Sequence, residues 1–306
     1  MERYRIIKTV GEGSFGRVHK AIDFGTGYLV AIKELKPTCD PMATQMEVRA
    51  LRILQHPNIV RLQAVGGRHG NTDFLVFEYM DCSLRDLIIA RNCFPFSEAE
   101  IRSFSFQLLQ GLHFMHHQRR FMHRDLKPAN LLVNKGVIKI ADLGTATEID
   151  SNRPFHHYVT TRSYRAPEML FRVFERDPRR QPSVYDEKVD MWAVGVIIAE
   201  LFLMRPLFIG FNSEHLLYEI CRVIGAPTWE SWLGGMLAAR FMNMPELGPK
   251  NGVGFRALMP YASQSAINLI ESLCSWDPVK RPSAAQALQH PFFHRVEKVE
   301  APPGFP

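Results

Sequence analysis

Short alternating runs separated by glycine turns occupy the first 36 residues: RYRIIKTV, the turn GEGSFG, then RVHKAIDF and YLVAIKEL. Period-two alternation broken by turn residues predicts a meander of antiparallel strands. From Pro41 the period lengthens. MATQMEVRALRIL places Met46, Ala50, Ile53 and Leu54 at helical spacing, so a helix is expected there with these residues on its inner face. Two further strands are expected, one around residues 62–65 and one in DFLVFEYM (73–80). A small sheet with one helix is then complete by about residue 80.

Beyond that point the pattern turns helical. Ser97, followed three residues later by Glu100, is a capping-box pattern, and Ile101, Phe104, Leu108, Leu112 and Met115 form one apolar stripe behind it. That helix is expected to end near His117. LLV (131–133) and VIKI (137–140) read as short strands framing a turn, and 187–203 reads as a buried helix. Its apolar core, MWAVGVIIAELFLM (191–204), is interrupted by Glu200 and is shorter than a membrane span requires. A second capping-box pattern, Ser283 with Gln286, opens a last helix that Pro291 stops. No internal repeat is visible. The expected fold is α+β and bilobal: a β-rich N-lobe over about 1–77, a connector at 78–83, and a larger helical C-lobe over 84–294. Residues 295–306 follow as an extension or the start of a linker.

Composition changes this picture little. The chain has 306 residues, 46% hydrophobic and 22% charged, which is ordinary for a globular protein able to bury a core. MERYRIIKTVGEG contains no apolar run of signal-peptide length, so a cytoplasmic or nuclear setting is expected, with no membrane and no nucleic-acid partner. Five cysteines without CxxC spacing argue against a disulfide framework and a zinc site. The net charge of +6 is modest. Its densest cluster, FRVFERDPRR (171–180), reads as a solvated loop in preference to a patch for acidic partners.

Candidate chemistry begins at GEGSFGRV (11–18), where Gly11, Gly13 and Gly16 let backbone approach phosphates because no Cβ intervenes. A dinucleotide-binding fold would need a helix at the third glycine; a second strand is expected there instead. Val30-Ala31-Ile32-Lys33 puts an amine on the third strand, within reach of phosphates held under the turn. A buried lysine needs a counter-charge, and Glu47 on the next helix offers one if it faces inward. HRDLKPAN (123–130) is the strongest signal. Asp125 can accept a hydroxyl proton, Lys127 can neutralise a transferred phosphoryl group, and Asn130 can hold magnesium, while ADLG (141–144) adds the carboxylate of Asp142 after a strand. Phosphoryl transfer needs these parts together.

With those motifs in one order along nearly the whole chain, the sequence resembles a eukaryotic protein kinase. The resemblance makes Lys33 and Glu47 the strand–helix ion pair, Asp125 the catalytic base assisted by Lys127, and Asn130 and Asp142 the magnesium ligands, with ATP and Mg2+ as cofactors. It implies a nucleotide site formed by Gly11, Gly13, Gly16, Val18, Ala31, Lys33 and Leu132, with Phe77 as gatekeeper and the backbone of Glu78 and Met80 reading adenine. Glu168 would pair with Arg281, Asp190 would anchor the catalytic loop, and Leu51, Leu62, His123 and Leu143 would stack as a spine. Leu143 replaces the family's usual phenylalanine.

Lys127 and Thr161 resemble serine/threonine kinases, the Thr161 hydroxyl being expected to bond Asp125 and Lys127. YRAPE, the stretch 225–260 and WDPVKRP resemble the group holding cyclin-dependent, MAP and glycogen synthase kinases. Within it, AELFLMRPLFIG, YEICRVIGAP and SWDPVKRPSAAQALQHPFF resemble the family of male germ cell-associated kinase and its ciliary relatives. The resemblance implies protein substrates with Ser or Thr followed by Pro, with Arg165 shaping that pocket, and a cilium or flagellum as a further location. Ser163 stands where the group carries an aromatic residue, and RDPRRQPS (176–183) is an insertion. PMATQME in place of a PSTAIRE-like run argues against a cyclin-like partner, and a monomer is expected. The competing class is a pseudokinase that binds nucleotide or a partner without turnover; intact Lys33, Glu47, Asp125, Asn130 and Asp142 argue for the enzyme.

FHHYVTTRSYRAPE (155–168) is then the activation and substrate-recognition segment. A metal site at His156 and His157 is disfavoured, since neighbours on an extended chain point apart and lack a third ligand. The related Thr-x-Tyr switch has His156 at its threonine. The arginine pocket for a phosphothreonine is reduced to Arg124, with Thr44, Met46 and Thr147 at the other positions. Arg162 and Arg165 remain as phosphate ligands, so Tyr158 is the expected activation phosphosite.

Overall fold

A computed structural model of the chain describes residues 3–13, 16–67, 73–149, 162–171, 185–241, 244 and 246–294. Tyr158, Thr161, His156, His157, the 176–183 insertion and the 295–306 extension lie outside the described residues.

The expected meander forms β1 (Tyr4–Gly13), β2 (Gly16–Asp23) and β3 (Leu29–Leu35). Helix α1 (Pro41–Ile53) follows, and β4 (Leu62–Gly66) and β5 (Phe74–Glu78) complete a sheet of order β1-β2-β3-β5-β4 with every pair antiparallel. Asp40 caps α1 by accepting from the Met42 amide, and Pro41 at the first helical position gives up no needed donor.

The face that α1 buries is only partly the one its apolar spacing predicts: Ala50 and Leu54 are buried and Ile53 packs against the core, but the face also takes in polar residues. Thr44, Glu47, Val48, Ala50 and Leu51 are buried, while Met46 is 41% exposed. A glutamate belongs inside here because a partner charge waits for it, and counting apolar positions treats every carboxylate as outward-facing.

After the connector come β6 (Cys82–Ser83), α2 (Leu84–Ala90) and α3 (Glu98–His113). Both reciprocal bonds of the expected box at Ser97 and Glu100 are made, and the stripe Ile101, Phe104, Leu108, Leu112 and Met115 is buried. Beyond His113 the helix widens into a π-turn over Phe114–Gln118, a one-residue adjustment that lets the chain reach β7 (Phe121–Met122). Strands β8 (Leu131–Asn134) and β9 (Val137–Ile140) form with β6 a sheet of order β6-β8-β9, and β10 (Thr147–Glu148) pairs with β7.

The remaining helices are α4 (Pro167–Phe171), α5 (Lys188–Leu203), α6 (Ser213–Ile224), α7 (Leu233–Phe241), α8 (Phe255–Leu258), α9 (Gln264–Leu273) and α10 (Ala284–Leu288). Helix α5 is buried from Val189 to Leu201 and forms the axis of the helical lobe. The expected last helix ends at Leu288, three residues before Pro291, which instead starts a single 3-10 turn over Pro291–Phe293. No helix among the described residues is long and apolar enough to cross a membrane.

Candidate active site

The catalytic loop runs from β7 into a 3-10 turn at Pro128–Asn130 and is held from beneath by one carboxylate. Asp190, 1% exposed at the start of α5, accepts from the His123 amide at 2.7 Å, the Arg124 amide at 2.8 Å and His116 Nε2 at 2.9 Å. Burial alone would push this carboxyl up; the His116 contact and the backbone donor outweigh it and hold it below the usual carboxylate range. Arg124 can therefore keep a left-handed backbone, φ 72°, because its amide is locked in place.

Within the loop two donors converge on one carboxylate. Lys127 Nζ lies 2.7 Å from Asp125 Oδ2, and Asn130 Nδ2 donates to the Asp125 carbonyl at 2.8 Å and to Oδ2 at 3.1 Å. These bonds fix the Asp125 side chain before any substrate arrives, which is the preorganisation proton acceptance requires.

Lys33 on β3 reaches Glu47 Oε1 at 2.7 Å and Asp142 Oδ1 at 3.6 Å. Burial alone would lower the lysine; the two carboxylates outweigh it and hold the ammonium above its ordinary value. Asp142 itself is left-handed, φ 60° and ψ 68°, a costly backbone for a residue with a Cβ and one that turns its carboxylate off the end of β9.

A cavity of about 1040 Å³ opens beneath the five-stranded sheet. Gly11, Gly13, Gly16, Val18, Ala31, Lys33, Phe77, Glu78, Met80 and Leu132 line it, and Asn130 and Asp142 face the same space. A Cβ added at Gly11 or Gly13 would meet nothing within 4 Å, so their backbone is open to an approaching anion, whereas at Gly16 it would lie 1.8 Å from the Glu34 carbonyl. Asp125 and Lys127 stand beside the cavity, connected to it through Asn130.

The donor set fits magnesium. This ion takes one or two protein oxygens and completes its octahedron with water and phosphate, and Asp142 and Asn130 present a carboxylate and an amide oxygen from one wall. Among the described residues no group of three or more His, Cys, Asp or Glu side chains is placed to hold a metal alone.

Farther from the cavity, Glu168 and Arg281 form a two-pronged pair at 2.6 and 2.8 Å, and Arg281 also donates to the carbonyls of Ser275, Lys188 and Trp276. Leu51, Leu143 and the partly buried Leu62 belong to one core, and His123 is fully buried. Arg162 Nη1 donates to the Phe211 carbonyl at 3.0 Å. The Arg165 guanidinium is pushed down by burial and by neighbouring Arg162, against the pull of Asp125 and Tyr185, so the two arginines share a neighbourhood with the Asp125 carboxylate.

Several contacts were not anticipated. Tyr164 donates to Glu200 at 2.7 Å, where burial and the carboxylate raise the phenol. The Glu78 carboxylate receives Lys139 at both oxygens, 2.8 Å each, and the Arg61 amide at 2.8 Å. Arg124 gives its side chain to the Thr145 carbonyl at 2.7 Å and the Tyr185 hydroxyl at 3.4 Å. The Ser83-x-x-Asp86 box that starts α2 was also unanticipated, and unlike the others it had a sequence signal that could have been read.

A bilobal fold with this cavity and loop defines a class. The protein kinase domain model matches residues 4–293, and the chain belongs to that family. Among its relatives, cyclin-dependent kinase F-4 of Oryza sativa subsp. japonica is 45% identical over 96% of this chain and 62% of its own length. Cyclin-dependent kinase F-3 of the same plant is 46% identical over 96% and 66%, and human serine/threonine-protein kinase MAK is 41% identical over 96% and 46%. The chain thus spans between 46% and 66% of the length of these relatives.

Proposed function

We propose that the chain transfers the γ-phosphoryl group of Mg-ATP to serine or threonine hydroxyls of protein substrates. The observation that carries this reading is the meeting at one cavity of the Lys33–Glu47 pair, Asp142 and the Asn130–Asp125–Lys127 cluster. The names of the relatives, serine/threonine-protein kinases among them, support the same reaction.

Each residue then has a role its position supports. Gly11 and Gly13 offer amides to the phosphates and Lys33 supplies a cation that Glu47 keeps in place. Asp125 accepts the proton of the attacking hydroxyl, and Lys127 neutralises the phosphoryl group as it passes. Asp142 and Asn130 hold magnesium, which, when bound, neutralises phosphate charge and orients the nucleotide. Val18, Ala31 and Leu132 sandwich adenine, with the backbone of Glu78 and Met80 at its edge.

The finer reading is a proline-directed enzyme, monomeric and independent of a cyclin, whose activity depends on phosphate at Tyr158 held by Arg162 and Arg165. Thr161 and Arg165 belong to the segment that receives the substrate, and the resemblance to male germ cell-associated kinase adds a ciliary location to the cytoplasm or nucleus. An arrayed peptide library with radiolabelled ATP tests it. Incorporation is expected at Ser-Pro and Thr-Pro, and it is expected to fall in Tyr158→Phe. Nucleotide binding without incorporation into any peptide would instead identify a pseudokinase.

A further inference from the structure

Arg49 stands two residues beyond Glu47 on α1, and its Nη2 lies 2.9 Å from Oε1 of Glu148. Glu148 is six residues beyond Asp142, on β10, where it pairs with Phe121 of β7; the other β7 residue, Met122, immediately precedes His123. One ion pair therefore joins three pieces of the site: the helix carrying Glu47, the segment leaving Asp142, and the strand entering the catalytic loop. We propose that Arg49 and Glu148 are positioning residues for phosphoryl transfer, holding α1 at the inward setting in which Glu47 reaches Lys33. The proposal rests on the kinase reading given above.

Two further observations support a tie made from the chain's own charges. The α1 and β10 positions that would carry a phosphate-binding arginine hold Thr44, Met46 and Thr147, none of them charged. Arg124, the remaining arginine, is already engaged by the Thr145 carbonyl and the Tyr185 hydroxyl. With Thr147 buried at 8% and β10 paired to β7, Glu148 sits on a fixed strand, so the acidic end of the pair is anchored.

The side chains of Arg49 and Glu148 are 69% and 46% exposed, so their attraction is screened and small. It acts on the population of the assembled site and leaves the fold alone, since α1 is also packed through Val48, Ala50 and Leu51.

Charge reversal tests this on the full chain. Arg49→Glu and Glu148→Arg are each expected to lower kcat/KM about three- to five-fold, with unchanged melting curves, and the double variant to return to within about two-fold of wild type. The differences are expected to fade at about 1 M salt, where the screening length is about 3 Å. Singles equal to wild type, or a double variant as low as the product of the singles, would overturn the proposal. Wild type without any phosphate transfer would contradict the kinase reading instead. The same four proteins are then compared by affinity for a fluorescent ATP analogue, where loss and restoration are again expected and a flat series overturns the pair's role.

Discussion

Lys33 is charged in a site that shelters it, because Glu47 and Asp142 both lie within 4 Å of its ammonium. The sign of the linkage follows from the raised lysine. Its contribution to stability is complete below the ordinary lysine range and is lost only as pH rises through the still higher folded value. At neutral pH the pair is intact. Lys33→Met leaves Glu47 buried with no counter-ion and is expected to cost about 3 kcal/mol of stability, with kcat falling by at least about 100-fold. Two of the cysteines, Cys221 and Cys274, are buried thiols. Burial pushes Cys221 and Cys274 up to about 12 and raises Cys82, whereas Cys93 is exposed. Mass-detected alkylation at pH 7.5 should modify Cys93 first and reach Cys221 and Cys274 only in denaturant, although Cys82 lines the cavity.

Capping decides where the helices begin, and it was largely legible. Ser97 and Glu100 make both bonds of their box, and Ser97→Ala is expected to cost about 1 kcal/mol, a fall of about 2 °C in the melting temperature. The five strands of the first sheet and the hairpin of β8 and β9 also followed from alternation and turn residues, since both signals are local. The inner face of α1 followed in part: Ala50 and Leu54 are buried and Glu47 meets Lys33 as the resemblance implied, but Met46 is turned out. Glu47 and Thr44 point inward and Met46 outward because an ion pair with β3 sets the helix rotation, and that partner lies 14 residues away. The π-turn after α3 was missed for a related reason, since a 3.6-residue period carries no sign of one extra residue. Asp125, Asn130 and Asp142 were found through chemistry at fixed offsets; Lys139, Glu148 and Glu200 were not, because each is an ordinary charged residue until the fold brings its partner near.

Across the whole molecule, two buried charges couple distant segments. Asp190 holds the catalytic loop onto α5, and its depressed carboxyl contributes stability that is complete above the ordinary carboxylate range and is lost as pH falls through the lower folded value. Acid unfolding should therefore begin below about pH 4, and Asp190→Asn should bring it on at a higher pH, followed by circular dichroism. Arg281 joins Glu168 across 113 residues of sequence while donating to three carbonyls. Arg281→Ala strips partners from all of them and is expected to cost about 3–5 kcal/mol, read as a large shift in the denaturant midpoint. These ties hold still the loop on which the proposed reaction depends.

The most direct test of that reaction compares wild type with Asp125→Asn in radiolabelled phosphate transfer to a Ser-Pro peptide, at matched protein concentration and saturating Mg-ATP. Transfer by wild type, reduced at least about 100-fold in the variant with its melting curve preserved, is the predicted result. Equal transfer by the two proteins would contradict the account.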